Sequence, residues 1–119
     1  MGTNVVFMGW DRPRLGRERV AVAHFQEFLQ YLGGLQQAGT IQSFDTAFLN
    51  PHGGDLNGFA FIRGDSDKLD AMLSSDAWMM HMTRAGLEMD GFGFLRGVTG
   101  DLLNSQMQMY MQTVEAAPA

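Results

Sequence analysis

The chain has 119 residues, the length of one ordinary domain, and can bury roughly two-thirds of its unfolded surface without a metal or disulfide. It contains no cysteine, which excludes disulfides, thiolate catalysis, iron–sulfur clusters and cysteine-ligated zinc. Hydrophobic residues make up 45% and charged residues 18%, a globular composition, and the net charge of −5 argues against a general nucleic-acid binder.

The first strand runs from Asn4 to Trp10 and is stopped by Asp11-Arg12-Pro13-Arg14, because proline cannot donate to a ladder. A start without a basic leader reads as a strand rather than a signal peptide, so a cytoplasmic chain is expected. A long helix is predicted from Gly16 to Ala38. Ala21, Phe25, Phe28, Leu29, Leu32 and Leu35 form its apolar stripe, and Gly39 is its C-terminal stop. A second strand covers Thr40 to Leu49, and Asn50 to Asp55 read as a loop. Strand three is Gly58 to Gly64. Asp65, Ser66 and Asp67 offer caps for a short helix through Leu73, and Ser75-Asp76 caps a helix from Ala77 to Ala85. Strand four is Gly91 to Val98.

A last helix follows Gly100-Asp101, with Leu103, Met107, Tyr110 and Val114 at helical spacing, and Glu115 to Ala119 read as a frayed end. Residues 1–99 therefore form the domain. Residues 100–119 form a helix and tail expected to pack on that domain or on a dimer partner. The order β-α-β-β-α-β is the ferredoxin-like arrangement, an α+β fold with an antiparallel sheet in the order 4-1-3-2.

Two heptapeptides nearly repeat: Gly58-Phe59-Ala60-Phe61-Ile62-Arg63-Gly64 and Gly91-Phe92-Gly93-Phe94-Leu95-Arg96-Gly97. They fall on strands three and four, which flank strand one and lie roughly 10 Å apart. Strand periodicity puts Phe59, Phe61 and Arg63 on one face, and Phe92, Phe94 and Arg96 on a matching face. The expected result is a Phe-lined pocket with Arg63 and Arg96 converging on a carboxylate, suited to an aromatic or enolic acid. Ala60, Ile62, Gly93 and Leu95 make the other face apolar as well. A homodimer is the simple way to cover the face that the helices leave open.

The element order resembles the dimeric α+β barrel superfamily, which includes cofactor-free quinol monooxygenases, muconolactone isomerases, haem-degrading monooxygenases and YCII-like domains. The nearest local likeness is to YCII-like domains. It rests on His24 with Gly39, then on the stretch Gly58 to Leu69, and extends over Val5 to Val98. Asp76-Ala77 stands where those domains carry Asp-Pro. The resemblance implies a dimeric barrel.

Three histidines are present, and no pair has the i, i+4 spacing of a helical metal site. His24 borders the apolar stripe of the first helix. Paired with Asp45 of strand two, it is the candidate general base. His52 sits in a glycine-rich loop. Of ten methionines, Met79, Met80 and Met82 surround His81 and Met107, Met109 and Met111 lie on the last helix, which suits adaptable contact surfaces. Trp78 reads as a packing anchor. Arg12, Arg14, Arg17 and Arg19 offer an anion-binding rim beside the end of strand one. No metal site, haem-binding signal, phosphate loop or serine nucleophile elbow is present, so no cofactor is expected. Three functions remain open: a small-molecule-binding dimer, a cofactor-free isomerase or monooxygenase with His24 as base, or a Met-rich protein-interaction module.

Overall fold

The computed structural model describes residues 2–118. In chain order the elements are β1 (Val5–Trp10), β2 (Arg12–Pro13), α1 (Glu18–Gln37), β3 (Ser43–Phe48), β4 (Gly58–Arg63), α2 (Ser66–Leu73), α3 (Asp76–Glu88), β5 (Met89–Asp90), β6 (Gly93–Gly97) and α4 (Asp101–Ala116). The main sheet has the order β3-β4-β1-β6 with every neighbour antiparallel, the arrangement expected of a ferredoxin-like α+β fold. A small ribbon pairs Arg12 with Asp90 and Pro13 with Met89. The proline that ends the first strand therefore takes part in a second, separate ladder, and α3 runs three residues past Ala85.

Ends form where local chemistry supplies partners. Gly39 follows α1 at φ 77°, a left-handed conformation that glycine adopts at little cost. The Ser75 hydroxyl accepts the Trp78 N–H at 3.2 Å and caps α3. Asp65 precedes α2 but makes no side-chain cap bond, so only the second expected cap forms.

Sheet and helices meet over one core. Val6, Met8, Ala60 and Ile62 project from the sheet, and Phe28, Leu32, Leu69 and Trp78 project from the helices; all are buried. The other sheet face carries Phe7, Phe59, Phe61 and Leu95 and has no helix over it. Phe7 and Phe59 stack there with ring centroids 5.6 Å apart.

The two heptapeptides do not share a face. Arg63 stands opposite Val5 of β1, whereas Arg96 stands opposite Val6. A one-residue offset reverses every side chain of a strand. Phe59, Phe61 and Arg63 therefore lie on the open face, while Phe94 and Arg96 lie under the helices. Phe94 meets the Trp78 ring edge-on at 5.5 Å. The expected convergence of Arg63 and Arg96 does not occur.

No residue of α4 is buried. The radius of gyration is 16.8 Å, against about 13.5 Å for a compact chain of this length. The excess comes from α4, which leaves the body without packing on it. Its root is held: Asn4 Nδ2 donates to the Thr99 carbonyl at 3.1 Å, and Thr99 N–H donates to Asn4 Oδ1 at 2.8 Å. Among the described residues no helix is long and apolar enough to cross a membrane.

Candidate functional site

α1 and α3 lie on the same sheet face, and each turns one histidine inward. On α1, Ala21, His24, Phe28 and Leu32 are buried at successive turns. On α3, His81, Ala85 and Glu88 are buried at i, i+4 and i+7. The crossing of these two stripes brings three titratable groups together. His24 is 4% exposed, Glu88 4% and His81 9%.

The three form a chain. His24 Nδ1 lies 2.7 Å from Glu88 Oε1, and His24 Nε2 lies 2.9 Å from His81 Nδ1. The two imidazoles are tilted by only 10° with centroids 5.2 Å apart. That separation matches two rings joined edge to edge in one plane, so the shared hydrogen bond points along the ring lone pairs. Arg84 Nε lies 4.0 Å from Glu88 Oε2, and the same guanidinium bridges α3 to α1 through Glu27 at 2.7 and 3.0 Å.

His81 is pushed below its ordinary value of 6.5, first by burial and then by the neighbouring His24 and Arg84 charges, with Glu27 opposing them. Its ring packs against Tyr31 at 4.6 Å and Phe28 at 5.3 Å. The neutral imidazole is the form this environment favours.

Both histidines and Glu88 line a cavity of about 530 Å³ between α1, α3 and the sheet. Trp10, Phe25, Phe28, Phe48 and Phe92 supply aromatic walls, with Met8 and Met82 between them. The Trp10 indole lies across Gly58, where a Cβ would stand 2.5 Å from Trp10 Nε1. The lip is polar, formed by Asp11, Arg12 and Asn57, with Asn57 Nδ2 donating to Asp11 Oδ1 at 2.6 Å. Arg12 is exposed and has no acidic partner among the described residues, whereas Arg14, Arg63, Arg84 and Arg96 each have one.

The cavity takes up only some of the residues singled out by sequence. His24 and Phe92 line it. Asp45 does not pair with His24: it stands opposite Phe61 on the open face, where it accepts a hydrogen bond from Arg63 at 2.7 Å. Glu88 is the acid at His24. Arg63 also lies over the Phe61 ring at 4.8 Å, so its charge is already met. Arg96 pairs with Asp70 of α2 and donates to the Thr3 carbonyl at 3.1 Å. Of the four arginines proposed as a rim, Arg12 alone lines the cavity, beside Pro13. His52 folds back on its own loop, with Nε2 2.6 Å from the Leu56 carbonyl oxygen. Among the described residues no group of three His, Asp or Glu could hold a metal.

His81 and Glu88 were the residues that sequence reasoning passed over as a site. Their signal was the spacing 81, 85 and 88, visible only once the helix is carried past Ala85.

No protein-family model and no curated protein matches the chain. Among solved structures it is similar to a dimeric protein of unknown function and ferredoxin-like fold from Bacteroides fragilis, with a TM-score of 0.56 and 10% identity over 80% of this chain and 95% of that one. At that identity the likeness establishes a shared ferredoxin-like fold.

Proposed function

We propose that the chain is a small-molecule-binding homodimer whose ligand occupies the cavity between α1, α3 and the sheet. The observation that carries this reading is the cavity itself: about 530 Å³, walled by aromatic rings, with a polar lip and a buried polar floor. A cavity of that size and lining suits a flat apolar ligand with few polar groups. Arg12 at the lip favours an acid group on that ligand, since a guanidinium meets a carboxylate bidentately. An aromatic or enolic acid satisfies both ends. Arg12 here takes the part that the sequence pattern suggested for Arg63 and Arg96.

Dimerisation has separate support. The open sheet face presents Phe7, Phe59, Phe61 and Leu95, and Leu95 is 61% exposed. The stripe Leu103, Met107, Tyr110, Met111 and Val114 of α4 is uncovered as well. The Bacteroides fragilis protein of the same fold is described as dimeric. Two sheets face to face, with α4 against the partner, bury both surfaces. The same α4 stripe would suit a different protein partner, the reading favoured if the chain sediments as a monomer.

The test uses 2-naphthoate and its neutral methyl ester, read by quenching of Trp10 fluorescence. Saturable quenching by the acid is expected, and Arg12→Ala should weaken it by about 1.5–3 kcal/mol, the scale of a charged hydrogen bond. No saturable quenching by either compound removes the ligand reading.

A further inference from the structure

Glu88, His24 and His81 are costly to bury together unless they hold one another. A structural role would be served by any apolar trio at the crossing of α1 and α3. What this trio adds is direction. With Glu88 ionised, His24 carries its proton on Nδ1 and donates to the carboxylate. His24 Nε2 is then a lone pair and accepts the proton on His81 Nδ1. That leaves His81 Nε2 as the free lone pair at the end of the chain.

His81 lines the cavity, and its Nε2 has no hydrogen-bond partner among the described residues. It is not sealed from solvent either: among the described residues the buried side-chain nitrogens lacking a partner are Trp78 Nε1 and Arg96 Nε.

We infer that Glu88–His24–His81 is a proton relay whose working end, His81 Nε2, removes a proton from a carbon or hydroxyl acid held in the cavity. The inference rests on the ligand reading above and deepens it to a proton-transfer activity at the same site. His81 is the base; His24 and Glu88 are positioning residues.

The step balances without any redox partner. The C–H or O–H bond of the ligand breaks, and its electron pair stays on the ligand as a carbanion, enolate or alkoxide. The proton goes to His81 Nε2. The His81 Nδ1–H bond breaks as a His24 Nε2–H bond forms. The positive charge then rests on His24, 2.7 Å from the Glu88 carboxylate, and not on a ring enclosed by Phe28 and Tyr31. Reversing the sequence returns the proton to the same or another atom of the ligand. A single histidine in that apolar surround would have to hold the charge itself, which burial opposes. The second histidine moves the charge to where it is met.

The relay is tested with the full chain and 5-nitrobenzisoxazole, a flat neutral aromatic. Loss of its ring C–H proton to a base breaks the N–O bond and gives a nitrile and a coloured phenolate. The expected result is saturable ring opening at least 100-fold faster than with free imidazole at equal concentration. The rate should hold down to pH 6.5 and fall only below it, because His24, Arg84, Glu27 and Tyr31 surround His81 and burial dominates their joint effect. His81→Ala should lower the rate about 100-fold, and Glu88→Gln about tenfold with the half-saturating concentration unchanged. Glu88→Asp should recover part of it.

A ring-nitrogen NMR spectrum of histidine-labelled protein needs no ligand and no variant. It should show neutral His81 protonated on Nδ1 at pH 7. A proton on Nε2 instead overturns the relay whatever the probe does. Saturable quenching of Trp10 by the probe without acceleration also overturns it, and leaves the ligand reading standing. A probe that never saturates overturns the relay, and the ligand reading falls with it only if 2-naphthoate and its methyl ester also fail to quench saturably.

Discussion

Arg63 and Arg96 close two nearly identical heptapeptides and lie on opposite faces of one sheet, because one stands opposite Val5 and the other opposite Val6. Their duties differ accordingly. Arg63 is bound to Asp45 and lies over Phe61 on the open face, while Arg96 ties β6 to α2 through Asp70 and to the N-terminal segment through the Thr3 carbonyl.

This difference is measurable. Arg96→Ala should lower stability by about 1–2 kcal/mol, since it removes a largely covered guanidinium, its ion pair with the exposed Asp70 and a bond to the Thr3 carbonyl. Arg63→Ala should cost below about 1 kcal/mol, because the Arg63 side chain is itself 42% exposed, twice the exposure of Arg96 at 21%. Denaturant midpoints for the two variants check the ordering. Equal losses would contradict the assignment of Arg96 to the helix side.

Trp78 is fully buried and packs between Phe28 and Phe94, yet its indole Nε1 has no hydrogen-bond partner among the described residues. Trp78→Ala should cost about 3–5 kcal/mol through the cavity it leaves. Trp78→Phe removes the orphaned donor along with some volume, so its loss should be the smaller by a wide margin. Thermal melts of both variants test this.

Stability should also depend on pH through His81. Its folded value lies below 6.5, so below that pH the unfolded chain binds more protons than the folded one. Stability contributed by neutral His81 is complete above pH 6.5 and is lost as pH falls from 6.5 through the lower folded value. Melting temperatures from pH 7.5 to 5 should decline over that window. In His81→Gln the decline should flatten, and an unchanged slope would assign it to other groups.

The elements along the chain were legible because punctuation is dense. Gly39, Pro51 and Ser75 each mark a boundary, and the intervening stretches have clear periods. With the elements in place, the order β3-β4-β1-β6 followed. The phase of β6 was not legible. A strand declares its buried face by alternating apolar with polar residues, and here both alternating sets are without polar residues until the terminal Arg96, which itself falls on the helix side: Phe92 and Phe94 on one side, Gly93 and Leu95 on the other. Register across β1 decides, and no local signal carries it. The His24–Glu88 pair was hidden for a different reason. It joins residues 64 apart through the crossing of two helices, and the two-residue strand Met89–Asp90 that fixes the end of α3 is too short for a periodic signal.

Deleting residues 100–119 should leave the melting temperature almost unchanged at concentrations where the full chain is itself monomeric, since no residue of α4 is buried in its own chain. Sedimentation should change instead, toward the monomer. A truncated chain that melts much lower at those same dilute concentrations would mean that α4 packs on its own domain after all.

The β2–β5 ribbon has a mechanical consequence. Arg14 N–H donates to the Glu88 carbonyl at 2.9 Å, and Asp11 N–H donates to the Asp90 carbonyl at 2.9 Å. The strand that carries Arg12 at the mouth is thus bolted to the residue whose carboxylate orients His24. Mouth and floor move as one piece. If the proposed relay operates, a guest thick enough to wedge the ribbon outward would drag Glu88 off its imidazole and disarm His81. Under that proposal size selection would need no clash at the reacting atom, because displacing the ribbon would itself withdraw the chemistry from an oversized guest.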